Sequence, residues 1–151
     1  MPFESSLLAV LRLRKSMERV AWLKLRAVHV LIASMNASIQ ELRQATLALR
    51  HASVEQLRTG LESQDLHLDS AAALEFEERQ MRQRLHRLET ERRIAENKFL
   101  QARCDREIVG NAIKLQRDAY DAEKSRREQS LTDDLTLQRR VRNHEEARPG
   151  N

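Results

Sequence analysis

Residues 28–42 read VHVLIASMNASIQEL and place an apolar side chain at every third or fourth position. Those side chains belong to Val28, Ile32, Met35, Ile39 and Leu42. Because an α-helix turns once in about 3.6 residues, this spacing collects them into one narrow stripe along a helix. A narrow apolar stripe flanked by polar residues is typical of a coiled coil.

The same spacing continues outward from this stretch in both directions, and ten of its fourteen positions are apolar. We call these positions the first seam: Leu7, Leu11, Arg14, Glu18, Ala21, Leu25, Val28, Ile32, Met35, Ile39, Leu42, Thr46, Leu49 and Ser53. A second seam of fourteen positions follows, again with ten apolar residues: Leu74, Glu78, Met81, Leu85, Leu88, Arg92, Ala95, Phe99, Ala102, Arg106, Val109, Ile113, Gln116 and Tyr120. Two seams of this length predict two long helices.

The residues between the seams favour a reversal of the chain. Gly60 can adopt the left-handed conformation that ends a helix, and Asp69 and Ser70 are good N-cap residues. We therefore expect an all-α fold in which residues 1–151 form a single domain, an antiparallel coiled-coil hairpin of two long helices. The first helix is expected over about residues 4–58, the bend over about 59–69 and the second helix over about 70–146.

The unequal helix lengths predict an overhang. Pairing outward from the expected bend gives partner numbers that sum to about 128, which sets Val28 near Phe99, Leu42 near Leu85 and Leu7 near Tyr120. From near Lys124 onward, the second helix then has no partner within the hairpin. Its apolar residues there are either part of a solvated, fraying end or a docking site for another protein: Leu131, Leu135, Leu137 and Val141.

Composition argues against most catalytic and membrane functions. Charged residues make up 33% of the chain and aromatic residues 3%, which suits long helices better than a compact core with a pocket. The five histidines form no pair at a spacing of four residues and no cluster with Cys104, so we expect no metal site and no cofactor. No apolar run approaches the roughly eighteen residues of a membrane span, and the N-terminus lacks a signal-peptide pattern. The single cysteine fits a reducing cytoplasm.

Charge is concentrated in the first helix. Residues 1–58 carry nine Lys or Arg and four Asp or Glu, whereas the remainder carries eighteen against nineteen. Most of the excess lies in residues 12–26, which favours an acidic partner, although a simply solvated face is the more common reason for such a run. Because these bases interleave with apolar residues rather than continue into a clean leucine heptad, DNA binding is a weaker hypothesis, and we expect no nucleic-acid partner.

The chain resembles the FliJ/YscO group of coiled-coil proteins from flagellar and injectisome type III secretion. It is similar to that group in its size and in its bend near the middle. Two patterns, one near each end of the chain, carry the resemblance: Phe3-x3-Leu7-x3-Leu11-x2-Arg14 and Tyr120-x5-Arg126-Arg127-Glu128-Gln129-x-Leu131-x-Asp133.

The resemblance implies a non-enzymatic protein similar to the central stalk of a rotary ATPase. Such a protein inserts the end that bears both termini into a hexameric export ATPase and contacts the export gate and, in some cases, secretion chaperones. It would be cytoplasmic and peripheral to the inner membrane through the export apparatus. The residues implied to face the ATPase ring are Arg12, Arg14, Lys15, Arg19, Arg126, Arg127, Leu131, Leu135 and Val141. The residues implied to face the gate, near the bend, are Leu74, Phe76 and Met81.

Three hypotheses follow from these observations. The leading one is the stalk-like export protein, the second is a generic coiled-coil scaffold or tether that associates with itself, and the third is a nucleic-acid-binding coiled coil. A stalk should bind one copy per ring, a scaffold should form stable homo-oligomers, and a nucleic-acid binder should lose affinity steeply as salt rises.

Overall fold

The computed structural model describes residues 3–60 and 64–146, and these form two α-helices that pack against each other. Helix α1 spans Leu7–Thr59 and helix α2 spans Gln64–Glu146, with 53 and 83 residues. No strand occurs in the described parts of the chain. The predicted all-α helical hairpin is confirmed.

The ends of α1 follow from local chemistry. Ser5 Oγ accepts a hydrogen bond from the Leu7 backbone N–H at 3.2 Å, and the Ser5 carbonyl accepts one from Leu8 N–H at 3.2 Å. These bonds satisfy donors that the first helical turn leaves without partners. At the other end, Gly60 has a φ of 72°, the left-handed conformation that commonly closes a helix.

The connection between the helices is shorter than predicted. Helix α2 begins at Gln64 rather than near residue 70, so Asp69 and Ser70 lie inside the helix and do not cap it. The reason is packing: Ala71 is 4% exposed, and Gln56 Nε2 lies 2.9 Å from His67 Nε2. Contacts with α1 therefore hold the first turns of α2 in helical form. Residues 61–63 of the expected bend lie outside the described residues.

The predicted seams are the positions at which the helices bury side chains. Every position of the first seam is buried or half-buried, and so is every position of the second seam except Gln116. Ile39, at 5% exposure, is the most shielded large apolar side chain of the described residues. Stability therefore comes from a narrow apolar stripe on each helix, as expected for coiled-coil packing.

Two small polar residues are buried in the first seam without loss of hydrogen bonds. Thr46 Oγ1 donates to the Leu42 carbonyl at 2.8 Å, and Ser53 Oγ donates to the Leu49 carbonyl at 3.0 Å. Because each hydroxyl is satisfied one turn back in its own helix, the seam tolerates both residues without a partner on α2.

Contacts within the chain define two compact units. The bend unit consists of residues 15–104, and the terminal unit combines residues 1–14 with residues 105–151. Each unit contains a segment of α1 packed antiparallel against a segment of α2.

The helix register differs from the predicted one in both units. In the bend unit, Arg43 Nε bonds Glu78 Oε1 at 2.8 Å, and 43 plus 78 is 121 rather than about 128. Leu42 therefore does not lie level with Leu85. In the terminal unit the ring centroids of Phe3 and Tyr120 are 5.7 Å apart, so Phe3 rather than Leu7 is the neighbour of Tyr120. The early start of α2 explains the bend unit's offset, because it moves the reversal point toward the N-terminus.

Candidate partner-binding surfaces

The basic residues predicted to face a partner have different surroundings. Arg14 is half-buried, and its Nη1 lies 3.0 Å from Asp105 Oδ2 on α2. This residue therefore contributes to the contact between the helices. Arg12, Lys15 and Arg19 are exposed.

Three exposed bases of the bend unit, Lys15, Arg19 and Arg26, lie along one side of α1. Lys15, Arg19, Trp22 and Arg26 follow at intervals of four, three and four residues, so they share a face of the helix. The Arg26 guanidinium carbon lies 5.4 Å from the centre of the Trp22 ring, within the range of a cation–π contact. Glu18 is the single acid of residues 5–40 and belongs to the first seam. This face is consequently basic from Lys15 to Arg26.

The C-terminal part of α2 is exposed on every side. All residues from 121 to 144 are exposed, whereas Tyr120 is half-buried. Leu131 is 64% exposed and Val141 56% exposed, and Leu135 and Leu137 are also exposed. Ion pairs one helical turn apart, Glu123 with Arg127 and Lys124 with Glu128, support this segment locally. The expected overhang is confirmed for these residues.

The residues predicted to face the ATPase ring do not form one patch within the terminal unit. The ion pair between Arg14 and Asp105 fixes which parts of the helices lie level with each other. Arg126 is 21 residues beyond Asp105, which is about 30 Å along a helix that rises 1.5 Å per residue. The bases of α1 and the exposed end of α2 are therefore separate surfaces in this unit.

The three residues predicted to face the gate near the bend differ in the exposure of their side chains. Leu74 and Met81 are half-buried positions of the second seam, whereas the Phe76 side chain is 58% exposed. Phe76 is therefore the one of the three that presents most of its side chain to a partner.

Comparison with known proteins decides the family. A family model described as Flagellar FliJ protein matches residues 3–145, nearly the whole chain. The chain belongs to the FliJ family. This agrees with the resemblance stated above and favours its flagellar branch; the family consists of stalk-like proteins of flagellar export. No curated protein matches the chain, and no solved structure matches it.

One carboxylate of this FliJ-family chain joins both helices in an ion-pair network. Glu78 Oε1 accepts hydrogen bonds from Arg43 Nε at 2.8 Å and from Arg82 Nε at 3.0 Å, and its side chain is 13% exposed. These bonds lower the pKa of Glu78 below its ordinary value of 4.5, and the bond from Arg43 has the largest effect. Glu75 makes a similar pair with Arg50 across the helices. The network fixes the register close to the bend.

A groove in the bend unit was missed by the sequence analysis. It has a volume of about 670 Å³ and runs between α1 and α2 from Ser16 to Val28 and from Glu91 to Ala102. The sequence did contain a signal for it, because three of the four positions that precede seam residues 21, 25, 28 and 32 are apolar: Val20, Ala27 and Leu31, with Lys24 as the exception. A search for one seam per helix overlooks such a second row.

The described residues contain no group of His, Cys, Asp and Glu side chains that could hold a metal ion. Within the same residues, neither helix has a stretch apolar enough to cross a membrane.

Proposed function

We propose that this protein is a non-enzymatic stalk-like component of a flagellar export apparatus and that it couples a hexameric export ATPase to the export gate. The family match over residues 3–145 carries the proposal. The exposed segment 121–144 supports it, because this segment offers apolar side chains that the described hairpin leaves uncovered. In this proposal the protein works in the cytoplasm and reaches the inner membrane only through its partners.

The two surfaces would have different roles at the ATPase. Leu131, Leu135 and Val141 would enter apolar contacts with the inner wall of the ring, where their burial supplies binding free energy. Arg12, Lys15 and Arg19 would steer the stalk toward acidic residues around the opening, which affects association rate more than affinity. Arg126 and Arg127 would lie at the edge of the apolar contact between the end of α2 and the inner wall of the ring.

The gate contact is proposed for Phe76. A large exposed aromatic side chain provides a rigid apolar anchor, and such residues are enriched at the energetic centres of interfaces. Leu74 and Met81 would support Phe76 from within the seam rather than contact the gate themselves. Contacts with secretion chaperones are also part of this proposal, without an assigned surface.

The experiment compares two charge reversals of equal size. In the first variant Lys15 and Arg19 are replaced by glutamate, and in the control Arg84 and Arg87, also exposed bases of the bend unit, are replaced in the same way. Arg14 is left unchanged because its substitution would break the ion pair with Asp105. Binding to the export ATPase encoded in the same genome and stimulation of ATP hydrolysis are then measured at several salt concentrations.

We expect the first variant to bind about tenfold more weakly, mainly through slower association, and the control to bind as the wild type does. Equal binding by the two variants would remove Lys15 and Arg19 from the docking surface. The alternative function, a self-associating scaffold, rests on the same exposed apolar residues. Stable homo-oligomers in sedimentation equilibrium, together with no effect on the ATPase, would favour it over the stalk.

A further inference from the structure

The groove in the bend unit has a floor of small side chains. Ala21, Ala95 and Ala102 are seam positions, and each is half-buried. Where a coiled coil carries alanine instead of leucine in its seam, the helices leave space between their side chains, and a third element can approach the backbone closely. The groove is a consequence of these alanines.

Each wall of the groove carries an exposed apolar side chain. Val20 on α1 and Ile94 on α2 lie on opposite walls and are 49% and 51% exposed. Val20, Ala27 and Leu31, with Lys24 between the first two, occupy the positions one residue before the first seam, so a second row of mainly apolar side chains runs beside it. A helix with two adjacent apolar rows has a wider apolar face than one partner covers, which is typical of helices in bundles of three or more.

The charge around the groove is strongly positive. Residues 15–40 of α1 carry four bases and one acid, a net charge of +3. Residues 83–104 of α2 carry six bases and three acids, again a net charge of +3, so the two segments together carry +6. Lys24 and Lys98 line the groove itself, alongside Glu91. Two copies of the chain that joined through this face would bring like charges together, so the charge favours an acidic occupant over a second copy.

We propose that this groove binds an amphipathic helix of another protein, with apolar residues at helical spacing and acidic residues on its flanks. The segment of α1 from Ser16 to Val28 has 13 residues, so an occupant of three to four turns, about 20 Å long, fills the groove. The bound helix completes a bundle of three helices, its apolar face covering Val20 and Ile94 and its acidic flanks meeting Lys24 and Lys98. The binding mode is that of a helix in a groove. The lining of the groove includes none of the residues proposed above for the ATPase contact.

The test uses the full-length protein and a fluorescein-labelled synthetic peptide. The peptide carries leucine at positions i, i+3, i+4 and i+7 and glutamate on both flanks. A second peptide has the same composition with the leucines out of register, and a third carries lysine in place of glutamate. Binding is measured by fluorescence anisotropy. We expect the first peptide to bind at least tenfold more tightly than either of the others.

Two variants locate the binding. Replacing Val20 and Ile94 with glutamine should weaken binding of the first peptide about tenfold or more. The matched control replaces Val30 and Leu100, which are 61% and 49% exposed and do not line the groove, and should bind as the wild type does. Circular dichroism establishes that both variants keep their helices.

A charge pair tests the acidic flanks. Lys98→Glu should weaken binding of the acidic peptide, whereas Arg93→Glu, an equal charge change at an exposed α2 position outside the groove lining, should not. The proposal is overturned if the first peptide does not bind, if the groove variant binds it as tightly as the control, or if the lysine peptide binds equally well. Two further results would also overturn it. One is a dimer of the wild-type protein that the Val20 and Ile94 variant does not form. The other is sedimentation of the wild type, but not of this variant, with vesicles of anionic lipid.

Discussion

Removal of residues 126–151 should leave the packed hairpin nearly as stable as in the full chain. Every residue of the segment 126–144 is exposed, so the deletion uncovers no packed side chain among them. The hydrogen bonds of the Thr132 and Thr136 hydroxyls lie wholly within the deleted segment. The deletion removes two ion pairs with the retained part of α2, of Glu123 with Arg127 and of Lys124 with Glu128. Pairs of this kind contribute about 0.2–0.5 kcal/mol each, so the expected loss in free energy of unfolding is at most about 1 kcal/mol.

The loss in free energy of unfolding caused by the deletion is compared with that caused by a core substitution. Ile39 is 5% exposed, and truncation of a buried isoleucine to alanine costs about 2–5 kcal/mol. Ile39→Ala and the deletion are compared with the wild type by urea unfolding, followed by circular dichroism. Because exposed residues add little to the surface that unfolding uncovers, the dependence of free energy on urea should change little in the deletion variant.

A deletion that costs as much as Ile39→Ala would refute the reasoning. It would mean that residues 126–146 pack against the hairpin in solution, and that the exposed apolar side chains of this segment are structural. Under the proposed function, the same deletion should remove binding to the export ATPase. Loss of binding with retained stability separates a docking role from a structural one.

Two further predictions concern individual residues. Glu78→Gln should lower the melting temperature at pH 7. Because folding lowers the pKa of Glu78, the stabilisation by its carboxylate is present above pH 4.5 and is lost as the pH falls through the pKa of the folded state. The melting temperatures of the two proteins should therefore converge below pH 4.5. A difference between the two proteins that did not shrink as the pH fell below 4.5 would contradict this account. Gly60→Ala should destabilise the protein by about 1–2 kcal/mol because φ is 72°, whereas Gly110→Ala, in the interior of α2 with no atom within 4 Å of an added Cβ, should stabilise it by about 0.5–1 kcal/mol. Urea unfolding measures both glycine variants, and equal effects at the two sites would contradict the assigned conformations.

The prediction of the seams succeeded because helical periodicity is a local property. Which side chains share a stripe depends only on the 3.6-residue turn, so Arg14, Thr46 and Ser53 could be placed in the first seam although none is apolar. The exposed end of α2 followed from the predicted lengths of the two helices, because the second extends past the beginning of the first. The bend was less well predicted, because Asp69 and Ser70 have the chemistry of N-caps, and only the packing of His67 and Ala71 against α1 shows that the helix begins earlier.

The amino-acid sequence by itself determined that the chain forms two helices, which residues each helix turns toward the other, and which family it belongs to. Only the tertiary structure decided the register, since sliding one helix past the other by a few residues keeps apolar side chains opposed and changes which charges meet. Contacts such as that between Arg43 and Glu78 select one alignment. That alignment brings Ala21 of α1 together with Ala95 and Ala102 of α2 in the lining of the groove, and therefore determines where the groove opens.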